Sequence, residues 1–411
     1  VSRRSFLMLQ GPQSRFFRRL GSALEGLGHR VTKINFCGGD VFQWHGRGTR
    51  IFNKPFFLWS DHVSRLMDEL AVTDLLLFGD LRPLHMEAVA EARRRGGRVH
   101  VCEEGYLQPD YVTFEEHGVN ARSPLPRTAD GVRRLAGDLG PLPDLPVIRN
   151  SLKIRVMDTV RHHVGNVCLW GLFPFYRTHR PYAIGRELTG WLPRYLNRAE
   201  RAERAKKTQA ELLVDPRPFF LYPLQLDSDF QMRLNSSFSD VPDAIRFVLA
   251  SFARSAPPDV RLVVKNHPLD NGLIDYAALV GELAVESRLG DRVVYLDGGD
   301  GGRLLESCRA VVVVNSSMGL EGLLAKRPVY CLGRAVYGFP GLAVTPGELA
   351  LDDFWAAFRT AEPELLELFV RVLRSYALIR GNFYTDEGIA AAVEGVLARL
   401  ALGAPAQYEE L

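Results

Sequence analysis

Two kinds of apolar pattern alternate along this chain. Short runs of Val, Ile, Leu and Phe close on glycine or a carboxylate, and longer stretches repeat apolar residues every three or four positions. The first have the length of buried strands and the second the period of amphipathic helices. SFLMLQG (5–11), VTKINF (31–36), TDLLLFGD (73–80) and GRVHVCEEG (97–105) are strand candidates in the first half. Phe16, Leu20, Leu24 and Leu27 share one helical face after the first of them, and MEAVAEARRRGG (86–97) reads as a helix stopped by glycine. The alternation resumes with FFLYPLQL (219–226), DVRLVVKNHP (259–268), RVVYLDGG (292–299), AVVVVNSS (310–317) and RPVYCLG (327–333). Residues 120–150, rich in Pro, Gly and Arg without period, read as a surface excursion.

Strand and helix in alternation predict parallel, doubly wound sheets. Two such halves followed by helices predict a GT-B-like α/β architecture, two Rossmann-like domains facing a central cleft. The expected division is an acceptor-side domain over 1–207, carrying a basic helical segment at 149–207, and a nucleotide-sugar-binding domain over 208–345. C-terminal helices over 346–411 are expected to pack across the domains.

Open α/β sheets bind ligands where strands end, so the polar turns after the strands carry the candidate chemistry. LVVKNHPLD ends a strand in Lys265, Asn266 and His267, of which Lys265 and His267 are a pair suited to a leaving phosphate; the alternative is a histidine that only satisfies a turn. Asn315, Ser316 and Ser317 precede a helix whose free amides form an anion site, unless they merely cap it. Glu321 stands too far from either serine for a capping box and is assigned to ribose hydroxyls. In YPLQLDSDFQ, Asp227 and Asp229 share a face if the strand persists, flanked by Gln225 and Gln231, and either could be a base or nucleophile; an Asx turn is the other reading. Glu103 and Glu104 read as a base toward an acceptor hydroxyl or as a solvated acidic turn, and Gln10 and Gly11 open the first strand toward the same edge. DGGDGG (297–302) lacks a GK[ST] or GxGxxG continuation and reads as a turn near the base-binding pocket.

The five cysteines are scattered without a CxxC pair, which argues against a disulfide framework or zinc knuckle and for a reducing cytoplasm. No histidine pattern such as HExxH appears, so no metal or cofactor is expected. The apolar run near the N-terminus is short for a signal peptide, and no stretch reaches membrane-span length, which places the protein inside the cell. Net charge is only +3, yet residues 149–207 hold thirteen Lys/Arg against four Asp/Glu. That segment includes CLWGLFPFY (168–176) followed by Arg177, His179 and Arg180. Basic residues beside interfacial aromatics suit an anionic lipid surface, the alternative being a solvated face beside a buried cluster. Nucleic acid is disfavoured because no recognition motif accompanies the charge.

QGP (10–12), FGDLRPLH (78–85), EEGYLQP (103–109), PLQLDSDFQ (223–231), KNHP (265–268) and NSSMGLEGLLAKRPVYCLGRAVYGFPGL (315–342) resemble the bacterial capsule polysaccharide synthesis family, the β-Kdo transferases of the Kps type. The likeness is closer to the shorter, single-module member than to the two-module one. It implies retaining transfer of Kdo from CMP-Kdo to a phosphatidylglycerol-type lipid at the inner face of the cytoplasmic membrane, and admits other capsule assembly proteins as partners. By resemblance Asp229 is the nucleophile or charge stabiliser, while Asp227 falls at a variable position. Lys265 and His267 bind the CMP phosphate, Ser316, Ser317 and Glu321 hold the nucleotide, and Glu103 and Glu104 lie on the acceptor side. Tyr337-Gly338-Phe339-Pro340-Gly341 departs from the Tyr-Ala-Gly-Trp-Gly of the two-module relatives, which bears on the acceptor. The other readings are a non-catalytic capsule assembly or export adaptor, and a transferase of another CMP- or CDP-activated unit such as sialic acid.

Overall fold

The computed structural model describes residues 3–137, 139–143, 146–178, 184–227 and 229–402; His179 and Arg180 of the basic segment lie outside them. The chain divides into two units. Unit 1 comprises 1–126, 135–179 and 371–411, and unit 2 comprises 127–134 and 180–370.

Unit 1 is built on β1 (Ser5–Met8), β2 (Arg30–Asn35), β3 (Thr49–Ile51), β4 (Asp74–Phe78), β5 (Arg98–Glu104), β6 (Tyr111–Glu116) and β12 (Leu378–Arg380). They form one sheet in the order β12-β6-β5-β4-β1-β2-β3, parallel from β3 to β5, with β6 antiparallel to both of its neighbours, β5 and β12. Apolar side chains of β1, β4 and β5 are buried on both faces, as the unbroken apolar runs require. Phe16, Leu20 and Leu24 of the helix Phe16–Gly26 pack beneath the sheet with Phe114, Ile379 and Phe383. Leu27, expected on that face, is exposed because the helix ends at Gly26 and Leu27 is its cap. The helix Pro83–Arg94 opens on its proline and closes at Gly96, whose φ of +67° suits glycine.

Unit 2 carries β7 (Phe219–Pro223), β8 (Arg261–Lys265), β9 (Val293–Leu296), β10 (Ala310–Val313) and β11 (Val329–Cys331), all parallel, in the order β11-β10-β7-β8-β9. Phe220, Phe252, Phe354 and Trp355 anchor its core, with the Trp355 indole donating to Ser251 Oγ at 2.9 Å. Both sheets have the Rossmann arrangement, in which strand order reverses once beside the first strand.

Three boundaries differ from expectation. The basic segment divides near residue 180: its second half docks on unit 2, where Arg194 and Arg201 pair with Asp297 at 2.9 and 2.7 Å. The segment from Arg371 belongs to unit 1, because β12 extends that unit's sheet and the helix Asp386–Leu402 packs on Phe16–Gly26. The stretch 120–150 contains a helix, Ala129–Ala136, with Val132 fully buried. Among the described residues no helix is long and apolar enough to cross a membrane.

At the far end of β4, Asp74 is fully buried and accepts from Arg4 Nε at 2.8 Å and Thr73 Oγ1 at 2.7 Å, with His100 Nε2 also 2.8 Å away. Burial alone would raise its carboxyl, but these bonds hold it well below the usual carboxylate range. A depressed folded pKa contributes stability above the unfolded value, near 4, and that stability is lost as pH falls toward the folded one. Asp74→Ala should therefore cost about 3–5 kcal/mol at neutral pH, measured by urea unfolding, and the deficit should shrink on acidification.

Candidate functional site

The end of β7 and the end of β10 flank the point where unit 2 reverses its strand order. Gln225 spans that point: its Nε2 donates to Asn315 Oδ1 at 2.8 Å and its Oε1 accepts the Asn315 amide at 3.1 Å. The same Nε2 lies 3.4 Å from Asp229 Oδ2, so one side chain links the aspartate turn to the start of the helix Ser317–Leu324. Strand β7 stops at Pro223, so Asp227 and Asp229 do not share a strand face; they sit on the following turn with different partners. Asp227 pairs with Arg233 at 2.8 Å and accepts the Val241 amide at 3.3 Å, which makes it a strut of the turn.

Ser316 is the N-cap of Ser317–Leu324, its Oγ accepting from the Met318 amide at 3.2 Å. The capping-box position falls on Gly319, so Glu321 is outside it, exposed on the helix. Gly319 is required there, since a Cβ would come within 2.2 Å of the Tyr337 hydroxyl. Ser317 stands exposed in the helix's first turn.

Lys265 ends β8 beside this edge, the Leu224 amide donating to its carbonyl at 2.8 Å. Burial lowers its pKa, opposed by Asp297, Asp300 and Glu321. A side chain at Gly301 would stand 3.9 Å from Lys265 Cε and 3.4 Å from Met318 Cε, so the DGGDGG turn lies against this group. His267 Nδ1 accepts the Leu269 amide at 3.0 Å, which in the neutral ring leaves the proton on Nε2 as a donor. Asn266 fixes the turn: its Nδ2 donates to Asp270 at 3.0 Å and Asp297 at 2.9 Å, and its Oδ1 accepts the His267 amide at 2.8 Å.

Beside His267 lies a cavity of about 580 Å³ into which Arg198, Lys206 and Arg303 project with Asp297 to Asp300. Arg194 and Arg201 line it too, committed to Asp297 and, for Arg194, to Asp270 at 3.1 Å. The basic segment was expected to be either a lipid-facing surface or a solvated face beside a buried cluster; Arg194, Arg198 and Arg201 instead line this cavity across the junction of the helices Ile184–Leu196 and Arg198–Val214.

Unit 1 has a corresponding reversal between β1 and β4. Gln10 crosses it, its Oε1 accepting from Arg82 at 2.9 Å and its Nε2 contacting Asp40 at 3.2 Å and the Tyr176 hydroxyl at 3.3 Å. Gly11 is a packing glycine, since a Cβ would meet the Phe17 ring at 2.7 Å. Glu104 is committed to structure, accepting from Tyr384 at 2.6 Å and pairing with Arg155 at 3.1 Å. Glu103 lies by Gly79, whose φ is +71°, and its charge is felt by Arg82. Cys37, Asp40 and His162 bring possible metal-ligating atoms within 4.8 Å of one another, a grouping without any sequence spacing. Burial presses Asp40 upward, but Lys33 and His162 outweigh it and its carboxyl stays below the ordinary range.

Residues 73–384 match the family described as capsule polysaccharide biosynthesis protein, and the chain belongs to that family. It is 34% identical over 394 residues to the capsule polysaccharide export protein KpsS of Escherichia coli, covering 92% of this chain and 96% of the relative. It is 31% identical over 401 residues to the capsule polysaccharide modification protein LipB of Neisseria meningitidis, covering 94% and 93%. Among solved structures, the KpsC β-Kdo 2,7 transferase of Thermosulfurimonas dismutans aligns with a TM-score of 0.46 at 14% identity, over 96% of this chain and 99% of that one.

Removal of the Gln225 side chain would take away two hydrogen bonds made by buried Asn315, one to its side chain and one to its backbone amide. Gln225→Ala should cost about 1–3 kcal/mol in chemical unfolding, whereas Ser317→Ala, at an exposed position, should cost little.

Proposed function

We propose that the protein is a retaining β-Kdo glycosyltransferase that uses CMP-Kdo and adds Kdo to a phosphatidylglycerol-type lipid in capsule biosynthesis. The observation that carries this reading is the Gln225 bridge, which joins Asp229 to the Asn315-Ser316-Ser317 helix start at the strand-order reversal of unit 2. Such reversals are where open α/β sheets take nucleotides, and free amides at a helix start favour a phosphate. Lys265 and the Nε2 proton of His267 add positive charge and a donor at the same edge, and the Arg198, Lys206 and Arg303 cavity extends the field. Glu321 is assigned to the ribose.

In this reading the bond between the anomeric carbon and the CMP phosphate breaks, and CMP leaves with the electron pair. Asp229 meets the electron-poor carbon as nucleophile or counter-charge. The acceptor hydroxyl then bonds to that carbon and gives up its proton. Glu103 and Glu104, the carboxylates assigned to the acceptor side, are the groups proposed to take that proton, and Glu104 also bonds to Arg155 and Tyr384. The protein acts from the cytoplasm, peripheral to the inner membrane, with CMP-Kdo as substrate and no cofactor assigned.

The test is incubation of purified protein with CMP-Kdo and a panel of lipid acceptors, read by mass spectrometry. Asp229→Ala should abolish transfer with CMP affinity near wild type. His267→Ala should weaken CMP binding by about 10- to 100-fold, as loss of a bond to a charged group does. Intact CMP binding without transfer to any lipid would favour the export-adaptor reading that the name of the E. coli relative suggests.

A further inference from the structure

Unit 1 holds a second cavity, of about 350 Å³, away from any residue assigned to the donor. Its walls are aromatic: Phe36, Phe52, Phe56, Phe175 and Tyr176. Its polar groups are cationic, with half-buried Arg82 and exposed Lys54 and Arg177. Arg82 is held in place by Gln10 at 2.9 Å. One further polar atom faces no partner: His85 lines the cavity, is 1% exposed, and its Nε2 makes no hydrogen bond. Because Nδ1 donates to the Gly79 carbonyl at 2.6 Å, the Nε2 of the neutral ring is an acceptor. Burial, then Arg82, presses that imidazole down to about 3, so it is neutral at physiological pH. The cavity therefore combines apolar walls, anion-binding cations and one buried acceptor awaiting a donor.

Its surroundings are apolar and open to solvent. Phe56, Phe57 and Leu58 form a short turn on one side, with Phe57 78% exposed. On the other, the wall residues Phe175 and Tyr176 follow the turn Trp170–Leu172, where Trp170 is 74% exposed. The helix Leu152–Cys168 leads into that turn. It buries His162 and Gly165 while Val156, Val160, Val164 and Val167, one helical stripe, face outward. Lys153 lies within that stripe and Arg161 beside it, both exposed. An outward apolar stripe with interfacial Trp and Phe, flanked by cations, complements an anionic bilayer surface.

We propose that this cavity takes the phosphate-bearing headgroup of a glycerophospholipid, the phosphate among Arg82, Lys54 and Arg177 and a headgroup hydroxyl donating to His85 Nε2, with the apolar rim seated on the membrane that supplies the lipid. The assignment rests on the lipid-acceptor reading above and gives it a location. Hydroxyl recognition selects a phosphoglycerol headgroup over bare phosphate, since a buried acceptor left unpaired penalises a ligand that lacks the donor.

Isothermal titration of the full chain with dihexanoyl phosphatidylglycerol, phosphatidate, phosphatidylcholine and with glycerol 3-phosphate tests it, with CMP titrated into every variant as a check of folding. Phosphatidylglycerol should bind about tenfold or more tighter than phosphatidylcholine, phosphatidate or glycerol 3-phosphate. Joint Lys54→Ala and Arg177→Ala should weaken phosphatidylglycerol and phosphatidate alike by about tenfold. His85→Leu should weaken phosphatidylglycerol alone; if that variant does not fold, the wild-type preference over phosphatidate decides the hydroxyl contact. Joint Phe57→Ser and Trp170→Ser should reduce flotation with phosphatidylglycerol vesicles while short-chain affinity holds. Equal binding of phosphatidylglycerol and phosphatidylcholine, or an unaffected double-alanine variant, overturns the site, and glycerol 3-phosphate bound as tightly as the lipid overturns its lipid character. Unchanged flotation overturns the membrane seat. Lipid binding that survives in a protein unable to transfer Kdo defeats the proposed activity and leaves the site standing.

Discussion

A buried primary amide at each strand-order reversal governs how both edges of this protein are organised. A parallel sheet that reverses order opens a crevice between two strand ends, and the backbone there has polar groups that the ladder does not pair. Gln225 closes the unit 2 crevice by bonding both the backbone and the side chain of Asn315, and Gln10 does the equivalent in unit 1 with Arg82 and Asp40. A glutamine suits both places because it donates and accepts at once without bringing charge. Once these amides are fixed, the charged groups beside them, Asp229 in one unit and Arg82 in the other, are held by their neighbours and need no further ordering when a ligand arrives.

The same logic separates carboxylates that are adjacent in sequence. Asp227 and Glu104 each have a strong cation partner of their own, Arg233 and Arg155, and so are structural. Asp229 accepts from the neutral Gln225 amide, and Glu103 accepts from the backbone amide of Glu104 while its charge acts on Arg82. A carboxylate already neutralised by a nearby guanidinium is a poor nucleophile or base, which weighs against Asp227 and Glu104 in that role.

Both sheets were legible in the chain because most of their parallel strands, such as β1, β4, β7, β8 and β10, are short apolar runs ended by a polar turn. The short edge strands β3 and β12 have too few residues to stand out, and β6 alternates apolar Val112 and Phe114 with polar Thr113 and Glu115, as strands near an antiparallel edge do. The motif residues Lys265, Asn315, Ser316 and Gln225 were found because they follow strands directly. Their distinction from Asp227 and Glu104 was not, because the partners that decide it, Arg233, Arg155 and Tyr384, come from turns and helices whose contacts no local spacing encodes. The His85 acceptor is of the same kind: only the Gly79 carbonyl, at the end of β4, reveals which ring nitrogen is left over.

Unit 1 is discontinuous, for β12 and the helix Asp386–Leu402 reach it only after the whole of unit 2 has been traversed. During synthesis, unit 2 therefore emerges complete while the edge of the other sheet is still unpaired at β6 and the face of Phe16, Phe114 and their neighbours is still uncovered. The nascent chain passes through a stage in which one half is native and the other lacks a strand, so protection of that open edge, by a chaperone or by the ribosome itself, is built into the order in which the polypeptide is made.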